Sequence, residues 1–201
     1  MAGPSTLRRA VTDPGHALRV AVALGKGYLV KARFLLDRRV TIGPGFRAFI
    51  FPRIIGPGRV IIGANVSMSR GFLRRPCILT HTRDSLVTIG SGSTLGGARI
   101  SCVDSVHIGE GARLASVTII DSDVIPHGNM AVEPDWRKAR VRPVKIGNQV
   151  WAGINSFILP GAVIGDECAI GAGAVVHGQI VPERSLLVGN PARRIGDTRS
   201  E

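Results

Sequence analysis

Aliphatic residues recur every six positions through the C-terminal half of the chain. From Ile146 the sequence divides into IGNQVW, AGINSF, ILPGAV, IGDECA, IGAGAV and VHGQIV. The first place of these hexads holds Ile146, Ala152, Ile158, Ile164, Ile170 and Val176, and Gly fills the second place in four of the six. The fifth place holds Val150, Ser156, Ala162, Cys168, Ala174 and Ile180, which are mostly small. A helix would space its apolar residues three and four apart. A half-buried antiparallel strand would alternate with period two. Period six fits neither. It predicts short strands joined by tight turns, each sending one aliphatic side chain inward. Three hexads close one triangular coil, such as the stretch from Ile146 to Ile164. Stacked coils of this kind make a parallel β-helix.

The same phase runs earlier with less regularity. Ile89, Leu95 and Ser101 are six apart, as are Ile108, Leu114 and Ile120. Ile42 and Ile62 each precede a Gly at the start of looser copies. Roughly eight coils from Val40 to Pro182 are expected, in a prism on the order of 40 Å long. Residues 126–144, PHGNMAVEPDWRKARVRPV, carry no hexad phase. The stretch between Ile108 and Ile146 reads as two coils plus an excursion loop between coils. Function concentrates in such loops on rigid scaffolds. Before Val40 the pattern is helical. Thr12-Asp13-Pro14 resembles a helix start, with Pro in the first turn. Arg19, Lys26 and Arg33 fall on one stripe, and Leu18, Val22, Leu29 and Leu36 on another. Gly25 and Gly27 predict an interruption of that helix.

The chain is therefore read as all-β, with an N-terminal helical segment (1–39), a β-helix (40–182) interrupted by the loop at 126–144, and a C-terminal tail (183–201). Its 201 residues allow one domain of ordinary size and leave little room for a second. The hydrophobic share of 44% excludes wholesale disorder. Twenty-six Gly with only 4% aromatic residues suits many tight corners and an aliphatic interior. Cys77, Cys102 and Cys168 form no CxxC pair, so neither a disulfide framework nor a zinc site is expected; Cys168 reads as a core residue. No apolar run approaches the roughly 18 residues of a membrane span, and a cytoplasmic location is expected. The net charge is +12, and it is expected to gather in Arg137–Arg142, the C-terminus and the N-terminal segment. No nucleic-acid recognition motif accompanies it, so nucleic acid is not expected as a partner. Residues 14–36 are open to two readings, a cap over the first coil or a peripheral membrane contact.

Taken together, VKIGNQVWAGINSFILPGAVIGDECAIGAGAVV and the following IVPERSLLVGNPARRIG resemble the C-terminal half of the hexapeptide-repeat acyltransferases. The maltose, nodulation and exopolysaccharide O-acetyltransferases are the nearest in kind. VTIIDSDVIPH resembles that family's strand and loop ending in the catalytic His. The resemblance implies a left-handed parallel β-helix, assembled as a homotrimer with active sites in clefts between prisms. It implies transfer of an acyl group, acetyl by default, from acyl-CoA to a hydroxyl. A sugar in polysaccharide or glycoconjugate assembly is the default acceptor. No metal and no cofactor beyond the acyl donor is implied.

Such chemistry needs a base, because a hydroxyl is a poor nucleophile at neutral pH. His127 matches the family's catalytic position, although it stands four residues after Asp123 rather than two. Asp121 or Asp123 could orient its ring. His81, in ILTHTRD, is a second candidate; His16 lies outside the prism, and His107 and His177 read as repeat-surface residues. Trp151 matches a wall for acceptor or pantetheine. Gly153 and Ala172 match positions where the pantetheine arm approaches the backbone, and Arg193 a position near the nucleotide phosphates. Trp136 in the loop could stack on a sugar or pack against a neighbouring subunit. A zinc carbonic anhydrase on the same prism would need two His five residues apart, a spacing this chain lacks. A binding scaffold without chemistry is the remaining rival.

Overall fold

The computed structural model describes residues 14–71, 74–123 and 140–198. The chain winds through three flat faces in turn. The first face stacks Val40–Ile42, Arg59–Ile62, Leu86–Ile89, Ser105–Ile108, Val144–Ile146, Val163–Ile164 and Ile180–Val181, all parallel. The second runs from Arg47–Ala48 through Trp151–Ala152 to Ser185–Val188, and the third from Arg53–Ile55 to Val175–Val176. Seven strands on the first face make seven coils, roughly 30 Å of stacking.

Register is set by aliphatic columns. On the first face Ile42, Ile62, Ile89, Ile108, Ile146, Ile164 and Val181 pair in sequence, coil upon coil. All but Ile42 are buried. The hexad residues Ile146, Ala152, Ile158, Ile164, Ile170 and Val176 all point inward, as their period requires.

The stack has seven coils where roughly eight are expected, and two further features of the prism that differ from the expectation concern register. Ser101 and Ile120 are not the inward residues of the third face; Ile100 and Ile119 are. The corner before the third face is one residue shorter in these coils, so Leu95 leads to Ile100 and Leu114 to Ile119 in five steps. A one-residue slip moves a strand's side chains to its other face, and the fixed hexad count lands on the wrong one. The stretch from Ile108 to Ile146 is also one coil rather than two, because those two residues are direct partners on adjacent strands. The extra length lies between Asp123 and Arg140. There the antiparallel pair Ser122–Asp123 and Arg140–Val141 closes its roots.

The corner between first and second faces repeats one device in every coil. Its third residue takes the left-handed conformation: Gly45, Asn65, Gly92, Gly111, Gln149, Glu167 and Arg184. That conformation costs a non-glycine residue about 1–2 kcal/mol. It aims each N–H at the corner below. Asn65, Gly92, Gly111, Gln149, Glu167 and Arg184 each donate to a carbonyl of the preceding coil at 2.7–2.9 Å. The stacked bonds hold the strained corners in place.

Both ends of the solenoid are covered. At the far end Arg193–Asp197 folds back antiparallel on Ser185–Val188, which continues the second face past Pro182. At the near end the helix Pro14–Arg33 lies over the first coil, burying Ala23, Gly27 and Val30 against Phe46. The helix runs unbroken through Gly25 and Gly27, against the expected interruption. Packing gives the reason. A Cβ at Gly27 would overlap the Phe46 carbonyl oxygen, whereas Gly25 faces open space. Gly27 is thus the contact point of the cap.

This asymmetry makes a paired prediction. Gly25→Ala should stabilise the protein by roughly 0.5–1 kcal/mol through helix propensity. Gly27→Val should destabilise it by about 1–3 kcal/mol, because backbone must move. Thermal unfolding of the two variants should bracket the wild type; equal shifts would show that the helix does not rest on Phe46.

Candidate active site

The three edges of the prism differ in what they carry. The edge between third and first faces brings together His81, Asp121, Asp123 and His177 of the groups singled out from the sequence, and adds Asp104 and Arg142. Going up the stack it passes His81, Asp104, Asp121 and Asp123, then the roots of the excursion, then Arg142 and His177. His127 and Trp136 fall within the excursion, outside the described residues.

Asp121 is fully buried and anchors the turn below it. Its Oδ1 accepts the Val103 N–H at 2.8 Å, and its Oδ2 accepts the Asp104 N–H at 2.8 Å. The Cys102 thiol lies 3.5 Å from the same Oδ2. Burial pushes the Asp121 carboxyl above the usual carboxylate range, although the backbone donors oppose this. Burial likewise pushes the Cys102 thiol up, and the neighbouring Asp121 charge adds to it. An inert buried thiol follows.

Asp123 stands at the outgoing root of the excursion and Arg142 just after the incoming root. The Arg142 guanidinium lies 3.5 Å from Asp123 Oδ2 and donates to His177 Nε2 at 2.9 Å. Its stem runs along the edge past Gly161 and Gly178; a Cβ at Gly178 would crowd Arg142 Nη1 at 3.2 Å. Arg142 thus ties the base of the loop to the coil above. In the sequence Arg142 is one of a run of basic residues and His177 reads as a surface residue. Only the stacking brings the two together, 35 residues apart.

His81 sits on the same edge, half-buried, with Nε2 2.8 Å from Ser101 Oγ. Burial holds its imidazole below the usual range, and the Asp121 charge partly offsets that. His107, by contrast, faces outward on the first face, 2.5 Å from Thr88 Oγ1.

The remaining candidates stand on the second face and in the corner that leads from it to the third. Trp151 points outward from its strand between Arg113 and Ala169, half exposed. Ile154 in the following corner and Phe157 on the third-face strand after it are also exposed. Gly153 is buried under Ala172, whose backbone nitrogen a Cβ would meet at 2.8 Å. Ala172 is itself exposed, so this corner is a lane of small residues walled by large apolar ones. Arg193 is exposed, and its Nη1 lies 3.3 Å from the Ala192 carbonyl oxygen. The sequence pattern does not single out Ile154 and Phe157, because their outward direction depends on where the corner falls. The two edges border the same third face, roughly 15 Å apart across its short strands. One prism therefore separates the ionisable groups from the apolar lane.

His81 gives a pH prediction. Its folded pKa lies below the 6.5 of an unperturbed imidazole. Its contribution to stability is present above 6.5 and is lost as pH falls from there through the folded value. Imidazole proton shifts should show His81 titrating below 6.5, and lower still in Asp121→Asn, which removes the opposing charge. A rise in that variant would contradict the assignment.

Residues 143–178 match the family model described as bacterial transferase hexapeptide (six repeats). An Escherichia coli (strain K12) protein named for lipopolysaccharide biosynthesis O-acetyl transfer, WbbJ, is 36% identical over 105 residues. That stretch covers 48% of this chain and 52% of WbbJ. The chain thus spans about half the length of this curated relative. A Schizosaccharomyces pombe protein named as an acetyltransferase is 44% identical over 59 residues, 29% of this chain and 28% of its own length. Among solved structures, the N-acyltransferase AntD from Bacillus cereus aligns with a TM-score of 0.65 at 21% identity. The alignment covers 83% of this chain and 87% of AntD. The polysialic acid O-acetyltransferase OatWY aligns at 0.63 and 23% identity, over 79% of this chain and 74% of its own. The chain carries the bacterial transferase hexapeptide repeat and shares the left-handed β-helix of the hexapeptide-repeat acyltransferases.

Proposed function

We propose that this protein is an acyl-CoA-dependent O-acyltransferase that acetylates a sugar hydroxyl in polysaccharide or glycoconjugate assembly, with His127 as general base. The observation that carries the reading is the rooted excursion. The chain leaves one edge of the prism at Asp123 and is back at Arg140, near Arg142 and His177 and above His81, and His127 falls between those two residues in the sequence. The relative named for lipopolysaccharide O-acetyl transfer supports the acceptor class. AntD was crystallised with dTDP and 3-hydroxybutyryl-CoA, which supports the donor class.

In this reaction the acceptor oxygen attacks the thioester carbonyl carbon while the His127 ring takes the hydroxyl proton. The carbonyl becomes a tetrahedral oxyanion, held by N–H donors. Collapse re-forms the carbonyl and breaks the carbon–sulfur bond. The imidazolium returns its proton to the departing thiolate. The products are an O-acyl ester and CoA with a free thiol. The apolar lane of Trp151, Gly153 and Ala172 would take the pantetheine arm, and Arg193 the phosphates. Because lane and base edge lie on different borders of one face, the reading calls for a cleft shared between prisms, as in a homotrimer.

Thiol release from acetyl-CoA, measured with a panel of sugars, nucleotide-sugars and amino-sugars, tests the reading. His127→Ala should lower kcat/KM about 10²–10⁴-fold with acyl-CoA binding retained. Ala172→Trp, at an exposed position, should raise KM for acetyl-CoA about tenfold or more with little change in kcat. Turnover that survives His127→Ala would move the base to His81. Response to amines alone would replace the hydroxyl acceptor. No binding of acetyl-CoA would overturn the reading in favour of a non-catalytic scaffold.

A further inference from the structure

The helix Pro14–Arg33 caps the prism with its small-residue face, Ala23, Gly27 and Val30. Its larger apolar residues point the other way. Leu18 is 66% exposed and Leu29 61%, and Leu36 just beyond the helix is 96% exposed. Val22, Tyr28 and Leu35 are exposed with them. A cap needs only one apolar face. A second row of large aliphatic side chains left in water at the end of the molecule marks an interaction surface.

Charge identifies the partner. Residues 14–83, which form the helix and the coils next to it, contain thirteen Lys or Arg and a single acidic residue, Asp37. Arg39 already engages that carboxylate at 2.8 Å through both oxygens. All of the +12 net charge therefore belongs to this end. The remaining residues, 1–13 and 84–201, hold thirteen basic and thirteen acidic side chains and balance to zero. This differs from the expectation that charge gathers partly in Arg137–Arg142 and the C-terminus; there, acidic neighbours cancel it. Arg33, Arg38, Arg39, Arg53 and Arg59 are exposed around the apolar row.

We infer that this end of the prism docks on an anionic lipid bilayer, with the helix lying along the surface. Leu18, Leu29 and Leu36 enter the headgroup boundary while the surrounding Arg and Lys meet lipid phosphates. The two signals belong together, since neither apolar contact nor charge alone anchors a protein firmly. Nucleic acid would use the charge but gains little from exposed leucines. A second copy would bury the leucines but bring two strongly positive ends together. No helix among the described residues is long and apolar enough to cross a membrane, so the contact is at the surface. The inference is independent of the reaction proposed above.

The test is flotation of the full-length protein with phosphatidylcholine vesicles, with and without phosphatidylglycerol. The protein should float with the anionic vesicles only, and added salt should release it. Leu18→Gln/Leu29→Gln/Leu36→Gln and, separately, Arg33→Gln/Arg38→Gln should each weaken partitioning about tenfold or more. All five positions are exposed and off the packing face, and unchanged thermal unfolding would verify intact folds. Failure to float with anionic vesicles overturns the inference. So does partitioning unchanged in the leucine variant, which would reduce the contact to charge alone. Tight salt-sensitive binding of duplex DNA without vesicle binding would transfer the surface to nucleic acid. Self-association lost in the leucine variant, again without vesicle binding, would assign it to a second copy.

Discussion

Each coil of this prism must return its inward aliphatic side chain to the column it left. An isolated coil buries almost nothing; its apolar face is covered only by the coils above and below. The Ile42-to-Val181 column is therefore a constraint on chain length as much as a source of stability. Any segment between two of its members must begin and end one strand spacing apart. Extra residues can leave only at a corner and must come back to the same corner. The corner bonds from Gln149 to Glu110 and from Glu167 to Asn148 enforce this, at the cost of left-handed backbone in residues that do not favour it.

That constraint shapes the candidate site. The excursion departs after Ile119 has reached its column, and the chain is back at Val144 in time for Ile146 to sit on Ile108. Its two ends are consequently held together by the antiparallel pair at Asp123 and Arg140. Arg142 then reaches past Gly161 and Gly178, where no side chain stands in the way, to His177. A loop whose base is fixed in this way can place a side chain reproducibly against a neighbouring surface, which a loop on a free linker cannot. Asp121 serves the same end from inside. Its carboxylate is spent on the Val103 and Asp104 amides, which makes it a support of the edge.

How far the sequence can be read follows the regularity of the corners. From Ile146 to Val176 every corner has the same length, and the hexad arithmetic names the inward residues without error. Between Ile89 and Ile120 the second-to-third corner loses a residue, at Gly97 and again at Ser116. Counting by six then selects Ser101 and Ile120, which face outward. The excursion is miscounted for a related reason, since the stretch it belongs to is close to two coil lengths and only pairing tells a loop from a coil. The helix misleads because Gly25 and Gly27 look alike in sequence, while only one touches Phe46. Of the site, chemistry-bearing residues are visible one at a time. Their grouping onto two edges depends on corner positions and on contacts between residues one or more coils apart, as with His81 and Ser101 or Arg142 and His177.

A solenoid also converts sequence position into axial position, and this gives linear charge patterns a spatial meaning they lack in other folds. In a globular chain, thirteen basic residues between positions 14 and 83 would scatter over the surface. Here each coil advances the chain by one strand spacing of about 4.8 Å, so those residues stay within the first few coils and the helix that covers them. The same mapping puts acidic Glu110, Asp166, Glu167 and Glu183 on the fourth, sixth and seventh of the corners between first and second faces, away from the helix. Field along the prism axis is thus written directly in the order of residues. It needs no ion-pair geometry, and it survives exposure of individual side chains because it sums many of them. An anionic surface meeting this molecule would be met end-on, with the edges that carry the candidate site left facing the aqueous side.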